Sequence, residues 1–560
     1  MAKPNDHAPS FNLWTEPWIA LETTDGAIKQ VSIRDALVYA HEYVTIYDSS
    51  PLVVVGVHRL LTAILQDALN PQENSDLEDL WARGKFPEDK IKKFGDDYAD
   101  RFDLFSQDKP FMQSADLAMF PQTKEALKEK TTVARLFPET PSGTLITHYR
   151  HGTEDDQIFA PASVAKGLAA MPPFISSGGP GLMPSINGVP PIYVLPGGKT
   201  LFEMLAASLI AQTTLGDEYA TRRGDRAWWK RDVPVRVQES KKKTATMSAR
   251  ESNQLSEVGY LHGLTFPARK VRLHPEWLDA TCSRSGQLSE WCVRTMAFRM
   301  GESRLEDAPM WYDPFVAYKL PVKPKADAKR KSKPAQTRKA KEKPNPIRPN
   351  LNRGKVAWRE FSGLFLQHQD DGYQRPRFLN QFSALTASGQ FQTYPFRCVA
   401  LQTDGKMKFF EWIDFGFDVP PALLQDPQGA DWTEQALAFA TECAGKITYV
   451  FASTFGGKVK KAERFKRLKA RMESDYWSAL AGAFRQFVLE LGEPTTRQQI
   501  LGAWYDTVVR EAQKAFDDAA DATGDDGNTL GHIVQGKAKC KSELNILRSQ
   551  FKKGANDAST

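Results

Sequence analysis

Cysteine is scarce in this chain: five residues, at 282, 292, 398, 443 and 540, odd in number and widely scattered. That usage excludes a disulfide framework and suits a reducing compartment, so the expected location is the cytoplasm. Cys282 and Cys292 have neither a second pair nor a well-placed histidine. They make a poor zinc site and read as ordinary core or surface residues. Long apolar runs are also lacking; the longest is the short LVVVG at Leu52 to Gly56, far below the roughly 18 residues of a membrane span, and the opening MAKPNDHAPS is polar. Neither export nor a membrane partner is expected. A complete phosphate-binding loop is missing as well. Pro196-Gly197-Gly198-Lys199-Thr200 imitates one between a strand at Ile192 to Leu195 and a helix at Leu201 to Gln212. The position that needs the first glycine is Tyr193, so the amides that cradle a triphosphate are absent. Lys199 can still touch a phosphate oxygen near a helix N-terminus. No catalytic constellation emerges and no cofactor is expected.

What is present is length and localised charge. A chain of 560 residues has room for two to four domains and a large apolar interior. The formal net charge of +6 hides a run from Lys319 to Lys355 that holds fourteen Lys or Arg against Asp327 and Glu342. That run is net +12 and leaves the remainder at about −6. Mixed with Pro and Ala and nearly free of apolar residues, it cannot bury enough surface to fold. It is expected to be a flexible arm, either drawn to nucleic-acid phosphates or simply solvated.

The stretch Pro172 to Thr200, PPFISSGGPGLMPSINGVPPIYVLPGGKT, concentrates glycine and proline. Gly178, Gly179 and Gly181 let main chain approach another surface closely. The prolines remove donors and favour an ordered loop over a long helix. Its plainer reading is a connector, since loops are normally rich in both residues. Thr147 to Asp156, THYRHGTEDD, gathers His148, Tyr149, Arg150, His151, Asp155 and Asp156 before a helix that Pro161 starts. The spacing matches no zinc pattern. Tyr149 and Arg150 suit stacking on a base and pairing with a phosphate.

Leu13 to Glu22 and Lys29 to Ile33 predict a hairpin, Pro51 to Leu69 a buried amphipathic helix, and Gly259 to Leu273 a strand region carrying Arg269, Lys270 and Arg272. Cys398 to Leu401 and Lys406 to Ile413 predict a second hairpin about Asp404-Gly405. Beyond Asp431 apolar residues recur every three or four positions in segments near 431–455, 461–491, 496–522 and 528–551. Short connections make these an antiparallel bundle. A basic stripe runs along it from Lys458 to Arg471, including Lys460, Lys461, Arg464 and Arg467, and reads either as a solvated face or as a nucleic-acid groove. The expected fold is α+β: a large mixed α/β N-terminal domain with many loops over 1–424, carrying the flexible basic insertion at about 321–350, and a C-terminal four-helix bundle over 425–560.

Phe11-Asn12-Leu13 with Glu16-Pro17-Trp18-Ile19, Pro110-Phe111-Met112-Gln113, Asn187-Gly188-Val189-Pro190-Pro191, Gly259 to Leu264, Trp311-Tyr312-Asp313-Pro314 and the closing helices occur in one order along the chain. Together they resemble the CasA family, the large subunit of the type I-E CRISPR RNA-guided surveillance complex Cascade. The basic insertion lies outside that pattern. The resemblance implies a non-catalytic subunit of antiviral defence that reads a protospacer-adjacent motif in duplex DNA from the minor groove. It would start strand separation and help recruit a helicase-nuclease. Its implied partners are the backbone, small and guide-end-binding Cascade subunits, the CRISPR guide RNA, double-stranded target DNA and that nuclease.

Carried over residue by residue, the glycine loop corresponds to Ser177, Gly178, Gly179, Pro180 and Gly181. A minor groove about 6 Å wide admits bare backbone more easily than bulky side chains. A strand-splitting hairpin tip corresponds to Gln402, Thr403, Asp404, Gly405, Lys406 and Lys408, with Gly405 where the family has a glutamine. A lysine finger aligns near Glu302, leaving Arg299 and Arg304 as substitutes suited to a narrow, negative groove. The loop that meets the guide's 5′ end corresponds to about Thr147 to Ala160, with His148, Tyr149, Arg150 and His151. Lys199, Arg269, Lys270, Lys460, Lys461, Arg464 and Arg467 are the expected contacts to the DNA backbone. Two other classes stay open: a metal-dependent nucleic-acid hydrolase using His148, His151 and Asp155, and a structural scaffold that touches only protein.

Overall fold

The structure, a computed structural model, describes residues 8–124, 127, 130–137, 157–176, 184–215, 227–231, 254–255, 257–305, 308–321, 343–349, 357–367, 372–386, 393–403, 409–456, 463–492, 497–524 and 527–557. Two compact units divide the chain: Met1–Val316 with Pro376–Ser388 and Phe396–Gly416, and Ala317–Arg375 with Gly389–Pro395 and Phe417–Thr560.

In the first unit the expected N-terminal hairpin forms between Ile19–Thr23 and Ile28–Val31, antiparallel with Ile19 opposite Val31. Gly26 turns the chain at φ +82°, where a side chain would be strained. Tyr43–Ile46 pairs on the other side of the first strand. The Pro51–Leu69 helix starts on a proline at its first turn and stops at Asn70 in the left-handed region. Its composition would let it cross a membrane, a property that five-residue runs did not reveal, yet it is buried within this unit.

Against it packs the Pro161–Phe174 helix. Their contact depends on Gly56, where an added Cβ would come within 2.6 Å of the Ala169 carbonyl oxygen. The helix extends further than expected from its prolines: Pro172 and Pro173 lie in its last turn. A proline there removes a helix bond without ending the turn, because the Ile175 N–H still reaches the Met171 carbonyl at 3.0 Å.

Ile192–Pro196, wholly buried, joins a three-stranded sheet in the order Phe409–Val419, Tyr394–Thr403, Ile192–Pro196. A longer hairpin pairs Arg269–Thr281 with Leu288–Met300, and Lys130–Thr132 lies along its second strand. The expected strand over Gly259–Leu273 is corrected in its first half. Tyr260–Leu264 is a short helix, tight against Trp311: a Cβ on Gly263 would sit 1.9 Å from that ring. The strand begins only at Arg269, past Pro267.

The second unit holds four long helices, Pro427–Phe455, Glu463–Leu491, Arg497–Asp521 and Gly527–Asp557, within a few residues of the expected spans. Their core is aromatic. Trp358 stacks on Phe484 at 4.6 Å, and Phe439 packs on Tyr505 at 4.3 Å. Two buried polar tips are matched, Tyr476 Oη donating to the Ala440 carbonyl at 2.7 Å and Trp504 Nε1 to that of Ala436 at 2.9 Å, whereas Trp358 Nε1 and Tyr505 Oη find no partner among the described residues. Mixed helix and strand with a C-terminal helical region is the fold class the sequence predicts.

Candidate nucleic-acid interface

Ser177 to Gly181 lie outside the described residues, but both ends of their stretch are fixed. The Ser185 N–H donates to the Ile175 carbonyl at 3.1 Å, and Ser185 Oγ donates to the Pro172 carbonyl. Gly188, at φ +73°, closes a tight turn by donating to the Ser185 carbonyl at 2.8 Å. The stretch is thus pinched shut at its base on the C-terminal turn of the Pro161–Phe174 helix.

Beneath that base two distant sequence motifs meet. Asn187 Nδ2 donates to Asp313 Oδ2 at 2.9 Å, and Arg59 Nη1 donates to Asp313 Oδ1 at 2.6 Å. Arg59 also lies over the rings of Tyr193 and Phe315, while Tyr193 Oη donates to the Pro173 carbonyl at 2.8 Å. Burial works against the charge on Arg59, but the Asp313 carboxylate outweighs it and holds the guanidinium above its usual range. Asn187, Arg59 and Asp313 are all buried, so they form a framework for the loop rather than a contact surface.

Arg269 is buried too, at 1% exposure. Its Nη2 donates to the Ser176 carbonyl at 2.8 Å and its Nη1 to that of Ala268 at 2.8 Å, with the Phe298 ring alongside. The expected phosphate contact of Arg269 is corrected: the side chain turns inward, onto Ser176, two residues before the first glycine. Lys270, directly across the hairpin from Arg299, pairs with Asp116, and Arg299 is exposed. Arg304 is half-buried and donates to the Pro309 carbonyl at 2.6 Å, fastening its own turn. Glu302, where a finger aligns, is fully buried and bound to Arg231 and His262. Burial pushes its carboxyl up, but His262 and Arg231 pull it below the usual range. It is a core anion and cannot reach a groove.

Gln402 and Thr403 are buried at the end of their strand, and Asp404 to Lys408 lie outside the described residues. Lys199 is exposed at the start of the Leu201–Ala206 helix, whose first turn is capped by its own residues. Thr200 accepts from the Glu203 N–H, and a Glu203 oxygen accepts from the Lys199 N–H at 2.7 Å, so a carboxylate already occupies the place a phosphate would take. In the second unit Arg464 donates to the Ala522 carbonyl at 3.1 Å, and Arg467 lies 3.7 Å from Glu463 in an exposed pair that contributes little stability. Lys460, Lys461, His148, Tyr149, Arg150, His151 and Asp155 fall outside the described residues.

The structure therefore brings together the root of the glycine stretch, Arg269, Lys270 and Arg299 around one end of one hairpin. Sequence reading missed Ser176, Arg59 and the pairing of Asn187 with Asp313. Both halves of that last pair lie inside recognisable motifs, but 126 residues separate them and nothing in either motif names its partner.

The family model for CRISPR-associated protein Cse1 matches residues 12–515. The chain belongs to the Cse1 family. A CasA/Cse1 protein of Thermus thermophilus is 27% identical over 556 residues, covering 94% of this chain and 96% of that one. The crystal structure of a CRISPR-associated protein from Thermus thermophilus superposes with a TM-score of 0.71 at 24% identity, covering 96% of this chain and 100% of its own. A chain of a CRISPR RNA-guided surveillance complex superposes with a TM-score of 0.66 at 18% identity, covering 96% and 100%. Those likenesses show that the Cse1 fold is shared end to end.

Proposed function

We propose that this Cse1 protein is the large, non-catalytic subunit of a type I-E CRISPR RNA-guided surveillance complex. It reads a protospacer-adjacent motif from the minor groove through the backbone of Ser177 to Gly181, begins strand separation with the 404–408 hairpin tip, and helps recruit the helicase-nuclease. The observation that carries this reading is the family match over residues 12–515, joined to a relative of the same fold that is part of such a surveillance complex. The pinched root supports it physically, because a backbone contact needs a loop whose ends do not wander.

Guide RNA, the other complex subunits, target DNA and the nuclease are its partners, and the cytoplasm is its site of action. Residues 1–424 form the recognition part and 425–560 the helical part that contacts neighbours or DNA backbone. The test is to purify the protein with its neighbouring operon products. A guide RNA should copurify, and duplex binding should require a short flanking motif. Binding by the complex that ignores the flank would remove the recognition role, and metal-dependent cleavage by the protein alone would replace it with a hydrolase.

A further inference from the structure

Where the Arg269–Thr281 strand begins, a small cavity gives the centre of a water-sized sphere about 10 Å³ to occupy, room for one small guest. Every residue that lines it is buried, and none is a carboxylate. Its polar lining is Gln113, Ser114, Trp228, Thr265 and Arg269. Two of these are engaged elsewhere: the Gln113 amide bonds the Leu104 carbonyl and the Leu273 N–H, and the Thr265 hydroxyl donates to the Leu261 carbonyl at 2.8 Å. Trp228 and Arg269 are not so fully matched. The indole, edge-on to Phe111 at 5.1 Å, has an Nε1–H that no acceptor meets among the described residues. Arg269 commits its outer nitrogens to the Ala268 and Ser176 carbonyls, both at 2.8 Å, and leaves its Nε–H likewise unmatched. Indole and guanidinium nitrogens only donate, so whatever satisfies them must accept.

Charge points the same way. The buried guanidiniums of Arg59 and Arg231 face Asp313 and Glu302, whereas no carboxylate pairs with Arg269 among the described residues. Burial draws Arg269 down to about 10, which still leaves it charged at neutral pH. An enclosed cation without a counter-ion costs stability. Met112, also in the lining, holds φ at +50°, a left-handed backbone that a methionine adopts only where its surroundings impose it, as they do around ligand clamps. We propose that this cavity binds one monovalent anion of halide size, chloride in the cell, between the Trp228 Nε1–H and the Arg269 Nε–H. Ser114 offers a hydroxyl whose proton can rotate toward it. Water would satisfy the two donors and leave the charge unmet; an anion meets both. The site does not depend on the reading of Ser177 to Gly181.

The test melts the full-length wild-type protein and Trp228→Phe, which keeps a ring against Phe111 and deletes the donor. Chloride is exchanged for gluconate, too large for the space, at constant ionic strength. Chloride should raise the wild-type melting temperature saturably, because a ligand of the native state alone stabilises it. Trp228→Phe should need about tenfold more chloride for half that rise, the scale of one hydrogen bond to a charged group. Wild-type crystals soaked in bromide should show an anomalous peak between Trp228 Nε1 and Arg269 Nε, a measurement that stands even if the variant fails to fold. A melting temperature indifferent to chloride would overturn the site whatever the crystal holds, since bromide there would be an adventitious ion only. Water in the cavity of the bromide crystal would overturn it as well, as would an unchanged chloride dependence in Trp228→Phe.

Discussion

His58 is fully buried on the Pro51–Leu69 helix, with Nε2 2.8 Å from Ser208 Oγ and its ring edge-on to Phe315. Burial, helped by the neighbouring Arg59 charge, pulls its pKa down to about 3 from 6.5. His274 is likewise drawn to about 4, chiefly by burial. Above pH 6.5 these imidazoles are neutral folded and unfolded, so they leave stability unchanged. Below it the unfolded chain takes up protons that the native state refuses, and stability falls until pH reaches the folded values, by up to about 1.4 kcal/mol per unit for each group. The melting temperature should therefore be level above pH 7 and drop on acidification from about 6.5. His58→Gln should make that drop shallower between pH 6.5 and 5; an unaltered slope would place the titration elsewhere. Such behaviour was not legible from a lone histidine in an apolar helix, because burial is set by packing. The same holds for Arg269 and Glu302: their residue types suggested surface charge, and only the folded chain turns them inward.

Elements were far more legible, since periodicity and turn chemistry act over short spans. The four C-terminal helices followed from apolar spacing, and the DG pair marked the hairpin between Tyr394–Thr403 and Phe409–Val419. Reading failed where tertiary contact decides: Gly259 to Leu273 was expected to be strand throughout, but Gly263 lets a helical turn press on Trp311. The second hairpin also shows which of its residues are available. Gln402 and Thr403 are enclosed by their sheet, so a variant aimed at the tip should spare them. Replacing 404–408 with a Gly-Ser turn should preserve initial duplex contact and slow strand opening, followed by fluorescence of a base analogue beside the motif. Opening at the normal rate would exclude the tip as the wedge.

For the whole molecule, charge is unevenly placed: 319–355 carries net +12 while the rest is about −6. The C-terminal end of the expected insertion is not an arm, since Asn345–Pro346 pairs with Tyr318–Lys319 and Ile347 is buried. If the remainder meets phosphate, deleting 322–342 should lower the slope of log affinity against log salt by about 0.9 for each phosphate it had neutralised. An identical slope would mean the arm is only solvated. The family could be seen in the order of weak motifs along the chain, whereas the site could not, because its anchors come from segments far apart in sequence. Recognition by bare main chain remains the central claim, and one titration addresses it most directly: affinity of the assembled complex for motif-bearing duplex, with Gly179 intact and with Gly179→Asp. A carboxylate placed against a negatively charged groove should abolish the preference for the motif while the complex stays assembled. Undiminished, motif-dependent binding by Gly179→Asp would contradict the account.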